Sequence, residues 1–118
     1  MEQRDAGAVR VCRLDDIVPN SGVAALVGGR QVAVFRVDDE VYALGNHDPF
    51  SRANVLSRGI VGDLGGEPVV ASPVYKQHFS LKTGRCLEQP GVALAVYRAT
   101  LEDGYILIQI EANEPNQP

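Results

Sequence analysis

The sequence lacks an excess of positive charge, since its 118 residues carry 11 Lys and Arg against 15 Asp and Glu, a formal net charge of −4. Proteins that bind nucleic acid or anionic lipid use clustered Lys and Arg for this purpose. No apolar run approaches the ~20 residues of a membrane-spanning helix. The N-terminal stretch MEQRDAGAVR has no apolar segment of the kind found in signal peptides. We therefore predict a cytoplasmic protein that binds neither nucleic acid nor membrane.

Cysteine is also scarce. Cys12 and Cys86 lie far apart and form no C-x-x-C motif, so we expect two free thiols packed as small apolar side chains. The sequence contains no dinucleotide-binding fingerprint and no pairing of a nucleophile with a base. The glycine pairs at residues 28–29 and 65–66 lack a strand–loop–helix context and are therefore interpreted as hairpin turns. We predict no catalytic residue in this chain.

Helix signals are few, and only SRANVLSR (residues 51–58) is compatible with a turn or two of helix. Alternating apolar and polar residues instead predict short strands joined by Gly-rich or acidic turns. The clearest hairpin is ALAVYRATLEDGYILIQI, with its turn at residues 102–104. The expected fold is all-β, a small antiparallel sandwich or barrel, with residues 1–110 as a single domain. The polar residues 111–118 are expected to form a flexible tail.

Two long loops interrupt this pattern. The first lies within ALGNHDPFSRANVLSRG (residues 43–59), and the second opens SPVYKQHFSLKTG (residues 72–84). The order of strands and loops, the entry YALGNHDPF and the exit FSLKTGRC resemble Rieske-type ferredoxin domains. In that family a Cys-x-His motif in the first loop and a Cys-x-x-His motif in the second hold a 2Fe–2S cluster, with both Cys on one iron. The resemblance implies a Rieske-like fold with two projecting loops.

Aligned on those anchors, the four ligand positions fall on Gly45, His47, Ser72 and Tyr75. Of these only His47 has the side chain of a Rieske ligand. One remaining ligand cannot hold a dinuclear cluster, and Cys12 and Cys86 lie outside both loops. We therefore expect no cluster, no other metal and no bound cofactor in this chain.

The segments DPFSRANVLSRGIVGD and EPVVASPVYKQHFSLKTG are similar to one branch in particular, the small subunits of assimilatory NAD(P)H-dependent nitrite reductases. This resemblance implies that flavin, iron–sulfur and sirohaem groups belong to a large subunit that reduces nitrite to ammonium in nitrate assimilation. The present chain would be its non-catalytic, cluster-free accessory subunit, an enzyme component whose partner is the large subunit.

The loops are the candidate surface for that partner, because aromatic side chains are favoured at interfaces. Alternatively, the second loop is only solvated, with His78 beginning a strand. Two other functions stay open, namely a Rieske ferredoxin that passes electrons to an oxygenase and a free-standing binding module that senses a ligand through the loops. The candidate interface residues are His47, Asp48, Pro49 and Phe50 in the first loop, and Tyr75, Lys76 and Gln77 in the second.

Overall fold

The computed structural model describes the backbone of residues 7–113 and the side chains of residues 7–110. This part of the chain contains eleven strands, two 3₁₀ turns and no α-helix. The all-β prediction is therefore confirmed. The strands are β1 Ala8–Arg13, β2 Ser21–Val27, β3 Arg30–Val37, β4 Glu40–Gly45, β5 His47–Asp48, β6 Ala53–Asn54, β7 Ile60–Leu64, β8 Glu67–Ala71, β9 His78–Ser80, β10 Val96–Glu102 and β11 Tyr105–Asn113. No described helix is long and apolar enough to cross a membrane.

The strands form three antiparallel sheets. The largest has six strands in the order β1-β11-β10-β4-β3-β2, and it carries most of the scaffold. A three-stranded sheet, β7-β8-β9, and the short pair β5-β6 together hold the two long loops. The connections within the sheets are mostly tight hairpins, which suits antiparallel neighbours.

Two of the hairpins show why their turn residues are needed. Val27 pairs with Arg30 across Gly28 and Gly29, whose φ angles are 57° and 80°. Glu102 pairs with Tyr105 across Asp103 and Gly104, with φ angles of 55° and 81°. Successive left-handed residues match the twist of the flanking strands, which is why Gly and Asp occupy these turns. The predicted positions of both turns are confirmed.

The central strand β3 separates two hydrophobic cores. Val32 and Val34 face one side and Ala33 and Phe35 the other, and all four are fully buried. The sheet core contains Ile17, Val27, Val32, Val34, Ala43, Tyr97, Ile106 and Ile108. The loop core contains Ala33, Phe35, Leu44, Leu56, Val70, Phe79, Leu81, Cys86 and Leu94. Because residues alternate across a strand, β3 and β4 fill both cores at once.

Two expectations about chain segments are corrected. The predicted helical turn at residues 51–58 is instead the short strand β6 followed by a 3₁₀ turn at Leu56–Arg58. The predicted tail began too early, because β11 continues to Asn113, which pairs with Val96. Residues 114–118 of that predicted tail lie outside the described residues. Both cysteines are free thiols, and Cys86 is fully buried in the loop core.

Candidate functional site

The two long loops are built on the same backbone device. The Arg52 amide donates to the Asp48 carbonyl at 2.7 Å, and the Lys76 amide donates to the Ser72 carbonyl at 3.1 Å. Each turn closes over four residues and ends on a basic residue with left-handed backbone, φ 62° at Arg52 and 67° at Lys76. Side chains other than Gly, Asn and Asp are uncommon in this region. The repetition makes Asp48 and Ser72 equivalent positions, each opening its loop.

A direct hydrogen bond joins these two positions. Ser72 Oγ donates to Asp48 Oδ2 at 2.6 Å, and both residues are 0% exposed. The same carboxylate accepts from Ser51 Oγ at 2.9 Å and from the Phe50 amide at 2.9 Å. Ser72 Oγ in turn accepts from the Val74 amide at 3.3 Å. The contact therefore locks the first loop to the second from within.

These hydrogen bonds set the ionisation of Asp48. Burial disfavours the charged carboxylate and raises its pKa, but donation from Ser72, from the Phe50 amide and from Ser51 outweighs burial. The net pKa of Asp48 is lowered from its ordinary 3.8. The residue is thus a buried carboxylate anion held by neutral donors. With its oxygens occupied in this way, it is suited to hold structure and not to accept a proton from a substrate.

Asn46 organises the first loop behind this contact. It is 1% exposed, and its side-chain oxygen accepts from the Ser57 amide at 2.8 Å. Its amide nitrogen lies 3.3 Å from both Gln31 Oε1 and the Asn54 carbonyl. One buried side chain therefore links β3, β6 and the 3₁₀ turn. Asn46 could not be identified from the sequence, because an Asn between Gly45 and His47 carries no signal beyond that of an ordinary turn residue.

A partly exposed contact between His78 and Glu88 supports the second loop. His78 Nδ1 lies 2.6 Å from Glu88 Oε2, and the His78 amide donates to Glu88 Oε1 at 2.8 Å. Burial raises the pKa of Glu88, yet the amide and ring contacts of His78 outweigh burial and lower it overall from 4.5. Glu88 therefore anchors the strand that follows the second loop.

The structure changes where the ligand positions of the first loop lie. Gly45 belongs to β4, where it pairs with Val32 and donates its amide to Ala95. His47 is exposed, with Nδ1 3.2 Å from Asn54 Oδ1. Two cysteines that share one iron must face each other, and the first-loop side chain that contacts Ser72 is that of Asp48. The assignment of Gly45 and His47 is therefore corrected.

With that correction, the Cys-x-His positions of the first loop fall on Asp48 and Phe50. The Cys-x-x-His positions of the second loop stay on Ser72 and Tyr75. The four side chains do not fit a 2Fe–2S cluster, which needs two thiolates and two imidazoles. Asp48 Oδ2 and Ser72 Oγ are at hydrogen-bond distance, with no room for an iron between them. Among the described residues, no group of three or more His, Cys, Asp or Glu side chains is arranged to hold a metal.

The predicted interface residues differ in their exposure. His47, Pro49 and Lys76 are exposed, and Tyr75 is 60% exposed. The prediction of Asp48 as an interface residue is corrected, because a fully buried side chain with its oxygens occupied by internal donors cannot face a partner. Gln77 is half-buried.

Apolar side chains lie next to the residues of the Asp48–Ser72 bond in both loops. Phe50 is half-buried, with its ring centroid 6.2 Å from that of Phe79 in the loop core. Val74 is 45% exposed, and it was not among the residues predicted for the interface. We call Pro49, Phe50, Val74 and Tyr75 the loop-tip surface. The exposure of a valine in a loop cannot be predicted from its residue type. It follows here from the turn that begins at Ser72.

Comparison with known proteins gives consistent results. The family model of the Rieske-like [2Fe-2S] domain matches residues 8–109. The nitrite reductase (NADH) small subunit of Salmonella typhimurium is 46% identical over 101 residues, which cover 84% of this chain and 94% of that protein. The solution structure of the nitrite reductase [NAD(P)H] small subunit from Erwinia carotovora is 45% identical with a TM-score of 0.78, and the match covers 97% of this chain and 92% of that one.

A further relative is a much longer chain. The nitrite reductase [NAD(P)H] large subunit of Klebsiella oxytoca is 46% identical over 98 residues, which cover 83% of this chain and 10% of that protein. A segment of the same kind is therefore part of a large subunit in that organism. With the Rieske-like match over most of the described fold, and small-subunit relatives matched over nearly their whole length, the chain belongs to the family of nitrite reductase (NADH) small subunits.

Proposed function

We propose that this chain is the cluster-free accessory subunit of a cytoplasmic NAD(P)H-dependent nitrite reductase that reduces nitrite to ammonium in nitrate assimilation. The flavin, iron–sulfur and sirohaem groups that this chemistry requires belong to the large subunit. The chain binds that subunit and orders the surface it covers. It contributes no reacting group of its own.

The observation that carries the cluster-free part of the proposal is the Asp48–Ser72 hydrogen bond. By resemblance to the family, it joins the two positions at which cluster-binding members carry the thiolates of one iron, and both partners are fully buried. A serine hydroxyl and a carboxylate that satisfy each other form a stable interior pair. The loops keep their shape through this pair, which is the structural task that the metal performs in cluster-binding relatives.

The loop-tip surface is the proposed contact with the large subunit. Tyr75 and Val74 expose apolar area on a loop whose base is fixed by Ser72. Exposed aromatic and aliphatic side chains on a rigid support are typical of interface anchors, because little conformational entropy is lost when they bind. The Klebsiella oxytoca large subunit, which contains a segment of this kind within one chain, supports the large subunit as partner.

The test is reconstitution of the purified chain with its purified large subunit. We expect the isolated chain to be colourless and free of iron, and to form a complex with the large subunit that supports NAD(P)H-dependent nitrite reduction. The Tyr75→Ser variant should bind at least tenfold more weakly, because a central aromatic anchor is lost. The matched control is Val18→Ser, since Val18 is 71% exposed and precedes β2, outside both long loops.

Three outcomes would contradict the proposal. A brown isolated chain with two iron atoms would identify a ferredoxin-type electron carrier. A chain that forms no complex with the large subunit would exclude the subunit function. Equal binding by Tyr75→Ser, Val18→Ser and the unmodified chain would remove the loop-tip surface from the interface.

A further inference from the structure

The outer side of β1, β11 and β10 presents a group of arginines. Ile106 and Ile108 point into the sheet core, so Tyr105, Leu107 and Gln109 point outward. Cross-strand partners share a side of the sheet, which places Arg10 beside Leu107 and Arg13 beside Tyr105. A bulge between Arg10 and Cys12 brings both arginines to the same side although they are three residues apart.

Tyr105 holds two of these arginines in place. The Arg10 guanidinium lies 4.3 Å from the Tyr105 ring centroid, and that of Arg13 lies 5.0 Å from it. Arg13 Nη1 also donates to Tyr105 Oη at 3.1 Å. The stacked Arg10 guanidinium keeps its N–H edges available for a carboxylate, which it can bind through two parallel hydrogen bonds, and Arg13 keeps the N–H groups that do not contact Tyr105 Oη. The pair is therefore pre-organised for an acidic group.

A third arginine lies further along the same side. Arg98 lines a depression of about 150 Å³ together with Ala8, Thr100, Leu107 and Gln109. Gln109 Oε1 is buried there without a hydrogen-bond partner among the described residues. Buried polar atoms are nearly always paired in complete structures. An occupant that brings an N–H group would satisfy this oxygen.

The charge on this side is opposite to that of the chain as a whole, which has a net charge of −4. Three arginines point outward here, namely Arg10, Arg13 and Arg98. Among the described outward positions of these strands, Glu102 is the one carboxylate. Among the side chains that the structure describes, none of the three arginines forms an ion pair with a carboxylate. We call these arginines with Thr100, Tyr105 and Gln109 the arginine face.

We propose that the arginine face docks an acidic surface segment of the nitrite reductase large subunit, whose carboxylates pair with Arg10, Arg13 and Arg98. Gln109 lies four residues beyond Tyr105 along β11, a distance of ~13 Å. A single small anion cannot bridge that span, whereas a protein segment with several acidic residues can. The identity of the partner rests on the proposed function, but the face is independent of the loop-tip surface.

The experiment measures binding of the full-length chain to the purified large subunit over a range of salt concentrations. The Arg10→Glu/Arg98→Glu double variant should bind at least tenfold more weakly, and its affinity should depend less on salt, because charge pairs across an interface are screened. The control is Lys82→Glu/Arg85→Glu, which makes the same change in net charge at exposed basic residues outside both the arginine face and the loop-tip surface. It should stay within threefold of the unmodified chain.

A milder Arg10→Gln/Arg98→Gln variant guards against misfolding and should show a smaller loss in the same direction. Binding by both arginine-face variants within threefold of the unmodified chain, while Tyr75→Ser is impaired, would overturn this proposal and leave the proposed function intact. No binding by the unmodified chain would overturn both. Dimerisation of the isolated chain that the Arg10→Glu/Arg98→Glu variant loses would assign the face to a second copy instead.

Discussion

Removal of the Ser72 hydroxyl should lower the free energy of unfolding by about 1.5–3 kcal/mol, the range for a hydrogen bond to a charged group. The Asp48 carboxylate would keep its contacts to Ser51 and to the Phe50 amide, so the loss concerns one bond of 2.6 Å between fully buried atoms. Asp48→Asn should cost about 2–4 kcal/mol, because it removes the charge from all three contacts and sets an amide N–H₂ group against hydroxyl donors. Urea denaturation at neutral pH measures both values.

The double variant isolates the contact itself. If Asp48 and Ser72 stabilise the fold through each other, the stability lost in the double variant should be smaller than the sum of the two single losses by about 1–2 kcal/mol. Ser21→Ala is the matched control, since its hydroxyl donates to the Val18 carbonyl far from Asp48 in the sequence. Coupling between Asp48→Asn and Ser72→Ala no larger than that between Asp48→Asn and Ser21→Ala would refute the reasoning.

The pH dependence of stability is a second test of the role of Asp48. The pKa of Asp48 in the folded chain lies below its ordinary 3.8, so folding favours the ionised form. The resulting stability is complete above about pH 3.8 and is lost as the pH falls through the lowered pKa. The stability difference between the unmodified chain and Asp48→Asn should therefore be flat near neutrality and shrink only in strong acid. A difference that shrinks already above pH 5 would contradict the assigned direction.

Three further predictions concern the surroundings of the loops. Glu88→Gln should lower stability by less than about 1 kcal/mol, because the His78–Glu88 pair is partly exposed. Since the pKa of Glu88 is lowered from 4.5, this loss should be present above pH 4.5 and vanish in acid. Gly59→Ala should cost about 3 kcal/mol, since a methyl group there would lie 2.4 Å from the Ala71 carbonyl oxygen. Cysteine and histidine introduced at the corrected ligand positions should bind a two-iron cluster with visible absorption; the changes are Asp48→Cys, Phe50→His, Ser72→Cys and Tyr75→His.

Each of these three predictions has a control variant or an outcome that would contradict it. For Glu88→Gln, a stability loss that persists unchanged in acid would show that charge is not involved. For Gly59→Ala, the control is Gly62→Ala, where an added methyl meets nothing within 4 Å; equal effects would contradict the steric argument. For the cluster, the control retains His47 and carries Gly45→Cys, Ser72→Cys and Tyr75→His. Equal iron uptake by the two sets would contradict the corrected positions.

The sheet was predictable because its signals are local. Alternation in β10 and β11 and the turn residues Asp103 and Gly104 act over a few residues, and the structure has both where they were expected. The end of β11 was not predictable in this way. Its last residue, Asn113, is held by pairing with Val96 on β10, and polar composition alone indicates a tail.

The candidate site was only half predictable for a related reason. Ser72 is followed by a strand with a clear pattern, so its position could be anchored in sequence. The first loop offers a Gly-Asn-His-Asp run in which a shift of three residues changes the inferred ligand positions from Gly45 and His47 to Asp48 and Phe50. Only the contact across 24 residues between Asp48 and Ser72 decides the register. Such long-range contacts leave no local trace.

The position of β3 has a consequence for how this molecule unfolds. Val34 is embedded in the sheet core and its neighbour Phe35 in the loop core, both without exposure. Strand β3 cannot leave one core and remain in the other. Unfolding of either the sheet core or the loop core therefore removes packed side chains from the other core as well. The loop core, which holds the two long loops, therefore cannot unfold as a separate unit while the sheet stays intact. The order of these loops depends on both cores at once, so the loop-tip surface keeps its shape for as long as the sheet stays folded.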